Sequence, residues 1–223
     1  RAIADRLLQI GGTLNQDGSL TSTTSGFDTT KQLEVGYKYG TSDLMLNATL
    51  FDTVTEDTQA EVTSGLTFMR EYEAMGLEFE GRWNATENFV MSGNVTWTDA
   101  EISDDVNNAA IVGNTPRRQA DWIWTITPEY VTDTWSVGAS LQGSTEYYVQ
   151  DNNDLKQEGY TLVNLFATYW VNDQFSVALN VNNATDEFII TESEEGSAAV
   201  GSYVRARPLN GRTTVLSLKY MFD

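Results

Sequence analysis

The chain has 223 residues, with 13 Lys plus Arg against 32 Asp plus Glu, giving a formal charge of −19. It contains neither cysteine nor histidine. Those absences exclude disulfide frameworks, thiolate chemistry, His-ligated metal and Ser-His or Cys-His nucleophile pairs, and the acidity makes the chain a poor partner for nucleic acid.

The hydrophobic share of 40% and aromatic share of 11% are too rich for a disordered chain. No window approaches 18 consecutive apolar residues, so no helix is expected to cross a membrane. A transmembrane barrel alternates apolar and polar residues and escapes that test.

Arg1–Thr30 reads as mostly a long loop, broken by Gly11, Gly12, Gly18 and Gly26, with Ala2–Ile10 as a short helix or strand end. From Lys31 onward period two dominates. Leu33, Val35, Tyr37 and Tyr39 share one face against Gln32, Glu34, Gly36 and Lys38. Leu44, Leu46, Ala48 and Leu50 follow, then Met75, Leu77, Phe79, Gly81 and Trp83, then Phe89, Met91, Gly93, Val95 and Trp97. The alternation continues through Ala120–Thr127, with Ile123 out of phase, and through Trp135–Gln142, Val163–Trp170, Phe175–Asn182 and Leu216–Phe222. About nine strands are predicted, each near the ~9–11 residues that a tilted strand needs to cross a bilayer.

Short polar turns are predicted at Gly40–Asp43, Asn84–Asn88, Val131–Thr134 and Val171–Asp173. Long polar loops are predicted at Thr55–Arg70, Glu101–Arg117, Gln150–Gly159 and about Thr191–Arg212. Short and long alternate, so every long loop falls at one end. A soluble sandwich also alternates along its strands, but it has no reason to sort its loops this way. An outer-membrane barrel has short periplasmic turns and long extracellular loops.

The two faces agree with a barrel. One carries Leu, Val, Phe, Trp, Tyr, Ala and Gly with no central charge. The other carries Glu34, Lys38, Glu78, Glu80, Arg82, Asn94, Gln142, Asn164, Asn180 and Lys219, a set suited to a wet lumen. Tyr39, Trp83, Phe89, Trp97, Tyr130, Trp135, Tyr169, Phe175 and Phe222 lie toward strand ends, where interfacial aromatic girdles belong. The expected fold is an all-β, antiparallel up-and-down meander, part of a transmembrane barrel. Residues 1–30 are mostly extracellular loop and residues 31–223 are barrel strands.

Several groups carry possible chemistry. Glu78 and Glu80 sit about 6–7 Å apart along one strand face, a separation that fits a glycosidase pair in principle. The plainer reading is lumen carboxylates balanced by Arg82 and by basic residues on neighbouring strands. Asp151-Asn152-Asn153-Asp154 offers oxygen ligands for calcium but lacks the glutamate and glycine spacing of an EF-hand, and reads as an acidic loop tip. Arg117, Arg118, Arg205, Arg207 and Arg212 flank the long loops. They suit an anionic ferric chelate or lipopolysaccharide phosphates, against the plainer reading of strand-end charges in headgroup or water. Asn84-Ala85-Thr86 and Asn183-Ala184-Thr185 read as turns. No catalytic constellation or cofactor site is found.

Tyr160–Tyr169, the turn Val171-Asn172-Asp173 and Phe175–Asp186 resemble the closing hairpin of TonB-dependent outer-membrane receptors, and Gly211–Phe222 resembles their last strand. Gln32–Lys38, Gly76–Gly81 and Gly113–Gln119 resemble other recurrent segments of that barrel, so the resemblance spans about Phe27 to Phe222. It implies a 22-stranded barrel around an N-terminal plug. The chain is therefore read as the C-terminal part of a longer receptor whose plug and TonB-contacting segment lie outside it. The resemblance further implies TonB-driven uptake of a scarce nutrient, with a ferric siderophore first and vitamin B12, haem or oligosaccharide as alternatives. Implied partners are outer-membrane lipids and lipopolysaccharide, the TonB complex through the plug, and the barrel-assembly machinery. That machinery would read Leu216, Leu218, Tyr220 and Phe222 on a strand ending in the periplasm. A passive porin, a barrel adhesin and a soluble all-β binding module stay open as alternative functions.

Overall fold

The computed structural model describes residues 28–60, 67–193, 203 and 205–222; of the loop expected over residues 1–30, residues 1–27 lie outside them and Thr29 and Thr30 already belong to the first strand. In chain order the strands are β1 (Thr29–Gly40), β2 (Leu44–Ala60), β3 (Thr67–Asn84), β4 (Phe89–Asp105), β5 (Trp122–Val131), β6 (Trp135–Ser144), β7 (Tyr147–Tyr148), β8 (Lys156–Gln157), β9 (Tyr160–Trp170), β10 (Phe175–Asn182), β11 (Ile190–Ser193), β12 (Ala206–Pro208) and β13 (Thr213–Tyr220). Nine of them form one sheet in the order β1-β2-β3-β4-β5-β6-β9-β10-β13. Every pairing is antiparallel, so the sheet is the expected up-and-down meander, with β1 and β13 at its edges.

Register carries the period-two pattern from strand to strand. Val35, Leu50, Leu77, Trp97 and Trp122 stand in one row across β1 to β5. Val137, Ala167, Leu179 and Leu216 form another row across β6, β9, β10 and β13. On the opposite face Asn47, Glu80, Asn94, Thr125 and Gln142 run in a row from β2 to β6. A one-residue slip anywhere would put apolar side chains among polar ones, so the pattern itself specifies the register. Ile123 sits opposite Thr96 on the polar face, the exception visible in the sequence.

Among the described residues no second layer covers the apolar face. Leu33, Val35, Leu216 and Leu218 are each about two-thirds exposed. The fully buried large side chains, Ile102, Val149 and Ile189, all lie at the long-loop end. A soluble sandwich would bury its core between two sheets; this sheet leaves its apolar face to the surroundings.

The turns at the other end share a device that the hydrophobic pattern does not reveal. Thr41 Oγ1 accepts the amides of Asp43 and Leu44 at 3.2 and 3.0 Å. Thr86 Oγ1 does the same for Asn88 and Phe89 at 3.3 and 2.9 Å. Thr132 Oγ1 takes Thr134 and Trp135 at 3.4 and 3.1 Å, and Asn172 Oδ1 takes Gln174 and Phe175 at 3.0 and 2.9 Å. Each turn thus satisfies amides that its tight geometry frees. A bulky apolar residue then opens the next strand: Leu44, Phe89, Trp135 or Phe175.

Two glycines on the polar face are filled from across the sheet. An added Cβ at Gly76 would lie 2.4 Å from the Phe51 ring, and one at Gly138 would lie 2.4 Å from the Phe166 ring. Phe51 and Phe166, aromatics on an otherwise polar face, pack over their glycine partners in register.

The long-loop end is more ordered than the sequence suggests. The expected loop Thr55–Arg70 is largely strand: β2 and β3 stay paired out to Ala60↔Thr67. The loop expected from Glu101 begins only after Asp105. The loop Gln150–Gly159 belongs to the ribbon β7–β8, and within the expected loop Thr191–Arg212 residues 191–193 and 206–208 are strand, in the ribbon β11–β12. These extensions carry polar residues on both faces, such as the Asp57↔Arg70 pair on one and the Glu56↔Glu71 pair on the other. With water on both sides no alternation is required, so hydrophobic periodicity stops before the strands do.

Candidate functional site

The long-loop end holds two ion-pair clusters. The first centres on Arg70, near the outer end of β3. Its Nε lies 2.7 Å from Asp105 Oδ2 and its Nη1 2.6 Å from Asp151 Oδ2. The Asp105 side chain is fully buried and that of Arg70 is 16% exposed. Asp105 Oδ1 accepts the amides of Asn107 and Asn108. Asp151 Oδ1 accepts the Arg117 amide at 2.9 Å, and the Arg117 guanidinium lies 3.9 Å from Asp151 Oδ2. Asn153 adds a bridge, accepting the Thr115 amide and donating to the Thr115 carbonyl. Three segments are thereby tied together: the β3–β4 end, the connection before β5, and the β7–β8 loop.

Asp105 lies eight residues beyond Trp97 on β4, about 26 Å along the strand and clear of the apolar band. Burial alone would raise its carboxyl. Arg70 and the two amides outweigh burial and hold it below the ordinary carboxylate value. Burial likewise opposes the Arg70 charge, but its bonds to Tyr72 and Asp105 leave the guanidinium more firmly protonated than usual.

The second cluster joins segments that are distant in sequence. Arg118 Nη2 lies 2.9 Å from Glu192 Oε1, and Arg207 Nη1 lies 2.8 Å from Glu192 Oε2. One carboxylate therefore bridges two guanidinium groups. Glu192 and Arg207 are register partners of β11 and β12. Arg118 reaches them from the connection before β5, at a positive φ of 65°. That left-handed backbone turns Arg118 away from its neighbour, so Arg117 joins the first cluster and Arg118 the second.

Ribbon β11 has further anchors. Ser193 Oγ donates to Gln157 Oε1 at 2.8 Å, and Tyr147 Oη donates to the Thr191 carbonyl at 3.1 Å. Burial, helped by Tyr160 and Glu192 against Arg118, raises the Tyr147 phenol and keeps it a donor. At the base of the loop, Asn183 Nδ2 donates to the carbonyls of Glu187 and Asn210, and Asp186 Oδ1 accepts the Arg212 amide. Asn183 and Asp186 both have positive φ, as the turn read from the sequence requires.

The structure thus places Arg118 and Arg207 on one carboxylate and sends Arg117 elsewhere. Arg205 is exposed immediately before β12. The other candidate groups have plainer surroundings. The Asp151 carboxylate meets Arg70 and Arg117, not an open loop tip. Glu78 has Thr49 and Thr96 directly across, and Glu80 has Asn47 and Asn94. The basic residues expected opposite them on neighbouring strands are not there, and Asn47 Nδ2 donates to Glu80 instead. Leu216, Leu218 and Tyr220 stand on the apolar face of edge strand β13, opposite Leu179, Val177 and Phe175. Phe222 lies beyond the strand with its ring 4.9 Å from Tyr220. Arg70 and Glu192 are the residues that sequence reading missed.

Comparison with known proteins decides the family. The family model described as "TonB dependent receptor-like, beta-barrel" matches residues 11–184. The chain belongs to that family. No curated protein matches. Among solved structures, it is similar to the ferric yersiniabactin uptake receptor FyuA of Yersinia pestis, with 19% identity and a TM-score of 0.75 over 88% of this chain and 30% of that one. It is similar to the ferric-catecholate import receptor Fiu of E. coli, with 23% identity and a TM-score of 0.71 over 94% and 30%. It is also similar to the copper transporter OprC, with 16% identity and a TM-score of 0.69 over 87% and 32%. The chain spans about a third or less of these proteins. At such identities the likeness is one of fold. TonB-dependent receptor barrels belong to the bacterial outer membrane, and the family is one of receptors and transporters.

Proposed function

We propose that this chain is the C-terminal part of the barrel of an outer-membrane receptor that imports a scarce nutrient, a ferric siderophore first, with energy delivered by TonB through an N-terminal plug. The observation that carries this reading is the sorting of the sheet. One face is apolar from β1 to β13, the other is polar, and all the ion-paired loops stand at one end. In a bilayer the apolar face meets lipid, the polar face lines the lumen, and the capped turns lie in the periplasm. The loop end then meets the ligand and the lipopolysaccharide headgroups.

Arg118, Arg205 and Arg207 are the residues proposed to meet the ligand, while Arg117 serves the loop hub. Strand β13, with Leu216, Leu218, Tyr220 and Phe222, is proposed as the segment read by the barrel-assembly machinery, with the C-terminus in the periplasm. FyuA and Fiu, both similar in fold, are ferric-chelate receptors, which supports iron. OprC, a copper transporter of the same fold, keeps copper as the second reading.

The test uses the intact gene in its own cell. Deletion is expected to abolish uptake of radio-iron from at least one ferric siderophore, and loss of TonB is expected to have the same effect. Uptake that needs the protein but not TonB would favour a passive porin. Loss of copper accumulation with iron uptake intact would favour the copper reading.

A further inference from the structure

The second cluster is built like an anion site that is already filled. Two arginines, one from the connection before β5 and one from β12, converge on one carboxylate, each guanidinium on a different oxygen. A carboxylate or phosphate group presents the same oxygen pair, and arginine pairs recognise that geometry with short, charge-assisted hydrogen bonds. Here the oxygens come from the chain itself. We infer that Arg118 and Arg207 form a binding site for an anionic group of the ligand, and that Glu192 is its built-in occupant, displaced when the ligand binds. The inference rests on the proposed function for the approach of a ligand from the loop end.

Two observations support it. The cluster is open to solvent: the side chains of Glu192, Arg118 and Arg207 are 30%, 39% and 81% exposed. An exposed ion pair is held weakly, so a competing anion meets a low barrier. The backbone under Glu192 is fixed on both sides of it, by the Thr191 carbonyl to Tyr147 and by Ser193 to Gln157. Swinging the Glu192 side chain away therefore leaves the site standing.

An internal occupant sets selectivity. A weak monoanion does not compete with a tethered carboxylate, whereas a ligand bearing several carboxylates or phosphates does. Glu192 would thus be a specificity-determining residue, raising the threshold for anions that the receptor accepts.

The test uses purified full-length receptor and citrate as a soluble polycarboxylate probe, titrated by calorimetry. Wild type is expected to bind citrate weakly. Glu192→Gln keeps the shape and removes the competing charge; it is expected to bind citrate at least about tenfold more tightly, the scale of one charge-assisted contact. Adding Arg207→Gln to Glu192→Gln is expected to abolish the gain. Glu192→Ala, which also removes the carboxylate, should behave like Glu192→Gln, and heat-modifiable migration checks that each variant is folded. Citrate affinity unchanged by both Glu192 variants, or a gain that survives Arg207→Gln, would overturn the inference. Competition of citrate by lipopolysaccharide would overturn the assignment to a soluble ligand. Radio-iron uptake by cells is a separate readout. If it is unaffected by deletion while citrate binds the variants as stated, the receptor reading fails and the anion site stands.

Discussion

Arg70→Met isolates the cluster that organises the loop end. In the wild type, Asp105 has no exposed side-chain surface and relies on the 2.7 Å bond to Arg70. Removing one partner of a buried pair costs about 3–5 kcal/mol, because the other charge is stranded. Two amides remain on Asp105 Oδ1, and Asp151 keeps its bonds from Arg117. The expected cost is therefore at the lower bound, about 3 kcal/mol. That loss falls on local opening of the loop platform, not on the barrel as a whole. Hydrogen exchange of the Asn107, Asn108 and Arg117 amides in full-length receptor should accelerate about a hundredfold, by the factor of ten per ~1.4 kcal/mol. In Arg70→Met/Asp105→Asn no charge is stranded at that pair and the side-chain oxygen still accepts the two amides, so more than half of the protection should return. Exchange in Arg70→Met within about threefold of wild type, a cost near 0.6 kcal/mol, would refute the reasoning. A double variant no better than the single would refute it too.

Three further outcomes follow from the same geometry. The Asp105 carboxyl is held below its ordinary value, so its contribution is complete above about pH 4 and is lost as pH falls through the lower folded value. Protection of Asn107 and Asn108, corrected for intrinsic exchange, should be the same at pH 7 and pH 5; a loss by pH 5 would contradict this. Leu179→Arg places a charge on the apolar face of β10 and should cost about 2–4 kcal/mol near the midplane, whereas Asn180→Arg on the polar face should cost much less. Urea unfolding of the lipid-embedded receptor checks this, and equal losses would mean that the faces are misassigned. Gly138→Val would drive a side chain into the Phe166 ring and the Pro128 carbonyl, for a loss of about 1–3 kcal/mol. Adding Phe166→Ala should restore part of it, and no recovery would show that the ring is not the obstacle.

The sheet was legible because lipid and water impose opposite demands on alternate residues. Leu33 to Tyr39 and Phe175 to Asn182 announce their faces without any knowledge of partners. The strands fade from the sequence where both faces meet water, which is why β2 beyond Thr55 and the ribbon β11–β12 read as loop. The repeated turn device was present in the sequence, as Thr41, Thr86, Thr132 and Asn172, each three residues before a bulky apolar strand opener. It concerns a side chain folding onto its own backbone, which hydropathy does not register. The arginines at the loop ends were legible as charges but not as pairs. Glu192 is one of 32 acidic residues, and only the folded loops bring it between Arg118 and Arg207. Arg70 read as the last residue of a loop because its buried partners, Asp105 and Asp151, come from other segments.

The receptor reading stands or falls on which end of the sheet faces out. The chain contains no cysteine, so single cysteines report topology without background from these residues. Asn152→Cys, exposed in the β7–β8 loop, and Asn172→Cys, exposed in the β9–β10 turn, are placed in the full-length receptor. Intact cells are treated with a bulky maleimide that does not cross the outer membrane. Labelling is expected at Asn152→Cys on intact cells and at Asn172→Cys only after the outer membrane is opened; the reverse pattern would contradict the orientation and the receptor reading with it.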